Sequence, residues 1–306
     1  MALADRDADA RAVADLAASK GLVVEVDTIQ FNETGLDFRV GFASAADGRR
    51  WVLRLPRRRD AMEKARAEAR ALRLMRSRLP VEVPDWQIFD GDLIAYPMLC
   101  GNPGLTFDPE TYEVTWNFDK NSPLFPETLG AAVAALHGIE TDAAREAGLP
   151  MFSAREVREK WSSDLDQVRG RYQVQPALWA AWESWIADDS YWPDHTVPIH
   201  GDLYAGHVMV DEAGRATGII DWTEARVGDP AVDLVGHLRV FGEEALPSLI
   251  ESYCAAGGRR WPRLEAHCRK LNSAHAVNYA LYALAIGDAG HKAAAQALLM
   301  PENPPA

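Results

Sequence analysis

The side chains most suited to chemistry are concentrated in residues 200–221, HGDLYAGHVMVDEAGRATGIID. Asp202 lies in a loop next to a glycine, while His207 and Asp221 stand at the outer ends of two short apolar runs. Placing carboxylates and imidazoles beside buried strands does not help a chain to fold, because the burial of polar groups costs free energy. Their spacing therefore indicates chemistry, and a shared metal ion is the first hypothesis.

The two apolar runs, 207–211 and 216–221, predict a β-hairpin. If the hairpin turns about Gly214, His207 faces Asp221 directly, and opposed side chains on one face have Cβ atoms about 5 Å apart. Two side chains at this separation can share a metal ion, whereas a register slip of one residue would separate them. Mg²⁺ prefers oxygen ligands, so a histidine ligand would also suit Mn²⁺.

Asp202 precedes this hairpin by five residues, in a loop of the kind that carries functional side chains. A carboxylate beside a metal held by His207 and Asp221 is arranged for phosphoryl transfer. It can orient an acceptor hydroxyl and take its proton, while the ion neutralises phosphate charge. Asp202 is therefore predicted to be the catalytic base. The alternatives are a loop-turn role for Asp202, a strand-end cap for Asp221 and a core position for His207.

The elements before this stretch indicate a small, largely antiparallel α+β unit. Asp47-Gly48 is a hairpin signal between two runs rich in β-branched and aromatic residues. A second hairpin turns near Gly91-Asp92, and an Ala-, Glu- and Arg-rich segment predicts a helix. The predicted elements are strands at 22–30, 36–44 and 51–55, a helix at 60–79 and a hairpin over 86–99.

From residue 100 onward the pattern becomes helical. Residues 100–127 are punctuated by Pro and Asn, which favours a linker or insert. Ser153 and Glu156 predict a capping box, and a stripe of tryptophans is more typical of a core than of a ligand platform. Further helices are predicted near 241–256 and 262–286. The fold class is therefore α+β, with a β-rich N-terminal lobe, 1–99, and a larger helical lobe, 100–306.

Composition excludes several classes of partner. The 306 residues include 32 basic and 45 acidic side chains, and a net charge of −13 repels nucleic acid and anionic membranes. The N-terminus lacks the apolar core of a signal peptide, and no stretch approaches the roughly 20 apolar residues that span a bilayer. The three cysteines lack metal-site spacing and indicate reduced thiols. We expect a cytoplasmic monomer that binds neither nucleic acid nor membrane.

The same stretch resembles the catalytic and metal motifs of the kinase-like antibiotic and small-molecule phosphotransferases. The resemblance rests on His200-Gly201-Asp202, on the ligand five residues later and on the Asp221-Trp222 pair. That family usually has Asn where this chain has His207, and HGDLYAGH with IDWTEARVGDPAVDL is similar to the macrolide 2′-phosphotransferases in particular. The resemblance implies a two-lobed protein-kinase-like fold. It also implies a kinase that inactivates macrolides by phosphorylating the 2′-hydroxyl of their amino sugar.

The resemblance further implies a nucleotide site in the first lobe. Kinase-like lobes pair a basic residue of the third strand with a helix glutamate to clamp phosphates. Arg54 and Glu68 occupy the corresponding places, and Gly35 lies in the loop that would cover the phosphates. The family preference implies GTP as co-substrate together with Mg²⁺, and ATP is the alternative donor. The residues expected to hold the purine are Tyr96, Met98 and Leu99.

Other residues receive supporting and acceptor roles. The family motif gives His200 a loop-shaping role, and Asp229 and Asp233 are expected to tie the metal loop to the next helix through caps and ion pairs. A macrolide is a large apolar ring with one protonated amine, so an apolar groove near an acidic residue suits it. The groove candidates, each equally suited to core packing, are Phe241, Tyr279 and Tyr282.

Three rival functions remain open from the sequence. A kinase for another small alcohol, such as an aminoglycoside or amino alcohol, would use the same catalytic residues. An aminoglycoside, however, would require several acidic groove residues, which the C-terminal helices supply sparingly. A metallophosphoesterase would need further metal ligands at separate strand ends. A non-catalytic nucleotide-binding protein would have no need of Asp202 and Asp221.

Overall fold

The structure is a computed structural model that describes residues 3–33, 35, 37–108, 111 and 113–301. The chain divides into a first unit, Met1–Ser122 with Gly206–Thr223, and a second unit, Pro123–Ala205 with Glu224–Ala306. The elements up to the end of the main sheet are α1 (Leu3–Ser19), β1 (Gln30–Asn32), β2 (Phe38–Ser44), β3 (Arg50–Pro56), α2 (Ala61–Met75), β4 (Ile88–Phe89) and β5 (Ile94–Pro97).

The main sheet of the first unit is antiparallel throughout. Over the described residues it has five strands in the order β1-β2-β3-β5-β4. Both predicted hairpins are confirmed, and Gly48 supplies the positive φ of 79° that the first turn requires. Leu53 and Ala95 are fully buried in the core beneath the sheet.

The strand predicted at 22–30 is largely wrong. Only its last residue belongs to β1, and the preceding residues Val26–Thr28 form a 3₁₀ turn. The Thr28 hydroxyl donates to the Glu25 carbonyl at 2.7 Å and accepts from the Ser44 amide at 2.9 Å. A side chain that satisfies backbone groups in this way competes with the strand ladder.

The remaining elements follow in chain order. They are β6 (Asn102–Pro103), β7 (Leu105–Phe107), β8 (Val114–Trp116), α3 (Leu124–His137), α4 (Thr141–Glu146), α5 (Ala154–Arg169), α6 (Pro176–Ala187), β9 (Val197–Ile199), β10 (Val208–Val210), β11 (Ala216–Ile219), β12 (Arg226–Gly228), α7 (Val232–Phe241), α8 (Leu246–Ala255), α9 (Leu264–Ser273), α10 (His275–Ile286) and α11 (Ala289–Leu299). Strands β11, β10 and β6 form a second sheet in the first unit, and β7 pairs with β8.

The second unit is mainly helical, with β9 paired to β12. The predicted capping box at the start of α5 is confirmed, since Ser153 and Glu156 bond reciprocally. The tryptophan stripe is core, as expected: Trp182 and Trp185 are fully buried. No helix in the described part of the chain is both long and apolar enough to cross a membrane.

The helices predicted at 241–256 and 262–286 are interrupted. Gly242 has a φ of 89°, which ends α7, and α8 begins four residues later. The second segment is two helices, α9 and α10. The break follows Ser273, whose hydroxyl donates to the Lys270 carbonyl at 2.9 Å and accepts from the Trp182 indole at 2.9 Å. Side-chain bonding of this kind weakens a helix at that point.

Candidate functional site

Strands β10 and β11 form the predicted hairpin, but in a different register. Val208 pairs with Ile219. His207 therefore lies opposite Ile220, whose amide donates to the His207 carbonyl at 2.9 Å. The expectation that His207 directly faces Asp221 across the ladder is wrong.

The shift originates in the turn. The Asp211 amide donates to the Arg215 carbonyl at 3.1 Å, and Asp211 Oδ1 accepts from the amides of Ala213 and Arg215 at 3.0 and 2.8 Å. An aspartate that bonds ahead to the backbone closes the turn around residue 213 instead of Gly214. A bulge at the Met209–Val210 step then takes back one of the two positions by which the partner had shifted, so that His207 faces Ile220.

Asp221 nevertheless reaches His207, through a change in backbone direction. Its φ of 63° is the only positive value of a non-glycine residue among the described residues. Trp222 is fully buried, and its indole N–H donates to the Ile219 carbonyl at 3.0 Å, which fixes the turn. Aspartate tolerates this left-handed conformation better than most residues do. The turn brings Asp221 Oδ2 to 3.7 Å from His207 Nε2.

This pair of side chains fits a divalent ion that is also bound by phosphates. The Asp221 side chain is 49% exposed, so its carboxylate remains accessible to a ligand. Two ligands at right angles around Mg²⁺ lie about 3 Å apart, so a small movement of either side chain would suffice. The described residues contain no group of three or more His, Cys, Asp or Glu that could hold a metal. Mg²⁺ is commonly bound through one or two protein ligands plus substrate phosphates, which suits a site of this kind.

Arg54 on β3 and Glu68 on α2 form a buried ion pair in the same unit. Arg54 Nη1 donates to both Glu68 carboxylate oxygens, at 2.9 and 2.8 Å. The guanidinium carbon also lies 4.4 Å from the ring centre of Phe38 and 5.4 Å from that of Trp86. Burial raises the pKa of Glu68, although the charge of the Arg54 guanidinium acts to lower it. For Arg54, burial acts to lower the pKa, but the Glu68 carboxylate outweighs burial and the pKa is raised. The structure thus joins the two residues predicted to clamp phosphate.

The residues expected to hold the purine lie at the end of β5. Tyr96 and Leu99 are buried in one apolar cluster, and Met98 packs against it. Burial raises the pKa of Tyr96 to about 12, so its hydroxyl stays protonated at neutral pH. The Gly35 carbonyl accepts from Arg57 Nε at 2.9 Å, which ties the predicted phosphate loop to the end of β3. The nucleotide contacts of these residues remain predictions.

In the second unit, the loop that carries Asp202 is held through its backbone. Asp233, buried on α7, accepts from the amides of His200 and Gly201 at 2.8 Å each. His200 is also buried, and its Nδ1 accepts from the Asp202 amide at 3.2 Å. Asp202 itself is exposed. Buried groups therefore fix the loop while the predicted base faces solvent.

Asp233 is in turn held by a histidine on α3. His137 Nε2 lies 3.3 Å from Asp233 Oδ2, and His137 Nδ1 lies 3.0 Å from the Tyr253 hydroxyl. In the tautomer whose Nε2–H donates to the carboxylate, His137 Nδ1 accepts a hydrogen bond from the Tyr253 hydroxyl. Burial acts to raise the pKa of Asp233, but the hydrogen bonds from His137 and from the Gly201 amide hold it below its ordinary value.

Asp229 makes a parallel set of contacts. Its carboxylate accepts from the Ala231 amide at 2.9 Å and from His267 Nε2 at 2.7 Å. His267 Nδ1 accepts from the Trp185 indole at 3.0 Å. Because an indole can only donate, this bond fixes the proton of a neutral His267 on Nε2. Asp229 thereby ties the start of α7 to α9 and α6.

Two glycines allow the close packing around the Asp202 loop. A Cβ on Gly236 of α7 would lie 1.9 Å from the Leu203 carbonyl oxygen, so only glycine lets the helix approach the loop. Gly201 has a φ of 90°, and a Cβ there would meet the Glu224 carbonyl oxygen at 2.4 Å. Any side chain at either position would displace the backbone that presents Asp202.

The groove candidates lie in two ring clusters of the second unit. Phe241 stacks on His237, with ring centres 4.4 Å apart. Tyr279 and Tyr282 stack at 6.1 Å, and the Tyr279 hydroxyl lies 2.9 Å from His291 Nδ1. Tyr282 is 37% exposed, so part of its ring is available to a ligand. Their roles toward an acceptor remain predictions.

Several contributing residues carry no strong sequence signal. Thr223, two residues after Asp221, donates to Asp221 Oδ1 at 2.8 Å and lies 3.4 Å from Glu68 Oε2. A threonine two residues after an aspartate is a recognisable local bonding pattern, and it is the one sequence signal for Thr223. His137 and His267 are single histidines on helices, and only the fold shows their aspartate partners.

Residues 28–267 match the model of the Phosphotransferase enzyme family, APH. YcbJ of Bacillus subtilis strain 168, an uncharacterized protein, is 41% identical over 274 residues, which cover 89% of this chain and 90% of YcbJ. The apoenzyme of the macrolide 2′-phosphotransferase MphH of Brachybacterium faecium superposes with a TM-score of 0.90 at 45% identity, covering 96% of this chain and 99% of that one. A macrolide 2′-phosphotransferase type I gives 0.89 at 43% identity, covering 97% and 98%.

The chain therefore belongs to the APH family of phosphotransferase enzymes. Its α+β, protein-kinase-like fold class is confirmed by the family match and by these neighbours. It is a phosphotransferase that acts on a hydroxyl group, and the resemblance to the macrolide 2′-phosphotransferases is confirmed over nearly the whole chain.

Proposed function

We propose that this enzyme transfers the γ-phosphoryl group of a nucleoside triphosphate, with GTP favoured, to the 2′-hydroxyl of the amino sugar of macrolides and thereby inactivates them. The observation that carries the proposal is the identity of 43–45% to two macrolide 2′-phosphotransferases over nearly the full length of each chain. The surroundings of each predicted acid also support the proposal. Asp202 and Asp221 are both exposed, and each lies on a turn that hydrogen bonds of buried residues hold in place.

Asp202 is the proposed base. It accepts the proton of the acceptor hydroxyl as the oxygen attacks the γ-phosphorus and the bond to the β-phosphate oxygen breaks. The loop is fixed by the bonds from the His200 and Gly201 amides to Asp233, so the carboxylate loses little freedom when the acceptor binds.

His207 and Asp221 are the proposed ligands of Mg²⁺, with Mn²⁺ as an alternative. When bound, the ion neutralises phosphate charge in the loose transition state of phosphoryl transfer. Arg54 would donate to phosphate oxygens through the edge that does not face Glu68. An arginine presents a planar fork instead of a point charge, so it can contact two oxygens at once. We choose GTP over ATP as the proposed donor because the family that the sequence resembles favours GTP.

A macrolide suits the charge and the apolar residues of the chain. The net charge of −13 favours an acceptor with a protonated amine over an anionic one. The ring clusters that contain Phe241, Tyr279 and Tyr282 offer apolar area of the kind that a macrolactone would cover. An aminoglycoside would instead call for several acidic groups beside the rings.

A substrate panel tests the proposal. Purified protein with Mg²⁺ is incubated with erythromycin, kanamycin or choline, each with GTP and with ATP, and phosphorylated product is measured by mass spectrometry. We expect phosphorylated erythromycin, with a higher kcat/KM for GTP. Transfer to kanamycin or choline alone would contradict the macrolide assignment while leaving the phosphotransferase class intact. A better rate with ATP would contradict only the donor.

A further inference from the structure

Thr223 stands between the proposed metal ligand and the buried ion pair of the first unit. Its Oγ1 donates to Asp221 Oδ1 at 2.8 Å and lies 3.4 Å from Glu68 Oε2. The Glu68 carboxylate already accepts twice from Arg54 and is 1% exposed. One hydroxyl therefore connects an exposed carboxylate with a buried one.

The contacts at Asp221 are divided between its two oxygens. Oδ1 accepts from Thr223, whereas Oδ2 is the oxygen that lies 3.7 Å from His207 Nε2. A hydrogen bond to one oxygen fixes the rotation of the carboxylate plane and leaves the other oxygen facing the histidine. Partners that orient a ligating carboxylate in this way commonly change metal affinity by about 10–100-fold.

The hydroxyl has a single proton, so it cannot donate to both carboxylates at once. The shorter contact assigns the proton to Asp221. The Glu68 carboxylate, 3.4 Å from the hydroxyl oxygen, competes for the same proton, and Arg54 weakens that competition by donating twice to Glu68. The position of Arg54 is thereby linked, through Glu68 and Thr223, to the orientation of Asp221.

We propose that Thr223 is a positioning residue that couples metal binding at Asp221 to the binding of nucleotide phosphates at Arg54. The inference rests on the proposed function, because it takes Asp221 as a metal ligand and Arg54 as a phosphate clamp. By thermodynamic linkage, metal and nucleotide then strengthen each other's binding by the same factor. Removal of the hydroxyl lowers that factor.

The alternative is a purely local role, in which Thr223 only closes the turn after β11. Two variants, each measured with and without nucleotide, separate the local role from the coupling role. Thr223→Val keeps the shape and removes the hydroxyl, whereas Thr223→Ser keeps the hydroxyl. Thr217→Val is the matched control, because Thr217 lies on the same hairpin and its hydroxyl donates to the Cys100 carbonyl at 3.1 Å.

The test measures Mn²⁺ binding by electron paramagnetic resonance, with and without guanosine 5′-(β,γ-imido)triphosphate, on the full chain. We expect Thr223→Val to weaken Mn²⁺ binding in the presence of nucleotide by about tenfold or more. Thr223→Ser should stay within about threefold of wild type, and Thr217→Val should be unchanged. Thermal unfolding of each variant gives the structural readout.

The outcomes separate this inference from the proposed function. Equal Mn²⁺ affinity in wild type and Thr223→Val, or an equal loss of affinity with and without nucleotide, would overturn the coupling role of Thr223 alone. The same loss in Thr217→Val as in Thr223→Val would also overturn it, since a general disturbance of the hairpin would then explain both. If wild type bound no Mn²⁺ even with nucleotide, the proposed metal site would fall together with the inference.

Discussion

Asp202 and Asp221 are both exposed acids on sharp turns, yet the two units support them in different ways. The Asp202 loop is held by its backbone amides, through buried Asp233 and then His137 and Tyr253. Asp221 is held by its own side chain, through Thr223 to a buried ion pair. The first arrangement fixes where the backbone lies, and the second fixes how a carboxylate is rotated.

This difference predicts different consequences of mutation. Loss of a support in the second unit should change the stability of that unit and the placement of Asp202 together, because the same bonds serve both. Loss of the support at Asp221 should change metal affinity with a smaller effect on stability.

The largest effect is expected from Asp202→Asn. The variant removes the proposed base but keeps the loop bonds, so kcat should fall by about 10²–10⁴-fold, the usual contribution of a general base. Nucleotide affinity, measured by calorimetry, should be unchanged. Glu251→Gln, which alters an exposed acid on α8, is the matched control. Near-normal turnover of Asp202→Asn would show that another group takes the proton.

The next largest effects are expected from substitutions at the proposed metal ligands, Asp221 and His207. Asparagine tolerates the left-handed turn as aspartate does, so Asp221→Asn removes mainly the negative charge. We expect the rate to fall by about 10²–10³-fold, which corresponds to the loss of several kcal/mol of transition-state stabilisation. His207→Asn should keep measurable activity because an amide oxygen can still bind the ion, whereas His207→Ala should not. Circular dichroism checks folding. An unfolded His207→Asn protein would instead assign His207 to the core.

Asp233→Asn should lower stability and turnover together. It leaves the buried His137 and the loop amides with a weaker acceptor, and an imperfectly satisfied buried group costs about 1–3 kcal/mol. Because hydrogen bonds hold the pKa of Asp233 below its ordinary value, its stabilisation is present above pH 3.8 and is lost as the pH falls further. Denaturant unfolding followed by tryptophan fluorescence measures the change. A variant with lower turnover but unaltered stability would contradict the expectation that the same bonds serve both stability and the placement of Asp202.

At neutral pH the smallest effect is expected at His237, because its contribution is confined to acid conditions. Burial lowers its pKa from 6.5 to about 4, so the unfolded chain binds a proton more readily than the folded one. The free energy of unfolding should therefore fall by up to about 3 kcal/mol as the pH drops from 6.5 to 4. His237→Phe should flatten this dependence. An identical pH profile in the variant would assign the acid sensitivity to other groups.

The sequence predicts most of the first unit and one contact of the candidate site, between Arg54 and Glu68. The hairpins, the capping box at Ser153, the tryptophan core and the pairing of Arg54 with Glu68 follow from local signals or from the resemblance. The register of the β10–β11 hairpin does not, because an aspartate that bonds to the turn backbone moves the turn by one residue. The sequence thus predicts the approach of His207 and Asp221 from a hairpin register that the structure does not have. The left-handed turn at Asp221 brings the two side chains together instead.

Other parts of the site depend on contacts between segments far apart in the chain. His137 and Asp233 are separated by 96 positions, and His267 and Asp229 by 38, so no local pattern connects them. Gly236 is one glycine on a helix, and its purpose is visible only where the Leu203 carbonyl approaches it. These residues hold the backbone beside the proposed catalytic groups, and their identification requires the fold.

The central claim is tested most directly by locating the phosphate on the product. Erythromycin incubated with enzyme, Mg²⁺ and GTP would be purified and examined by phosphorus-31 NMR with correlation to the sugar protons. The account predicts one phosphate, coupled to the proton on the 2′ carbon of the amino sugar. Phosphate at another hydroxyl, or GTP hydrolysis without any phosphorylated macrolide, would contradict it.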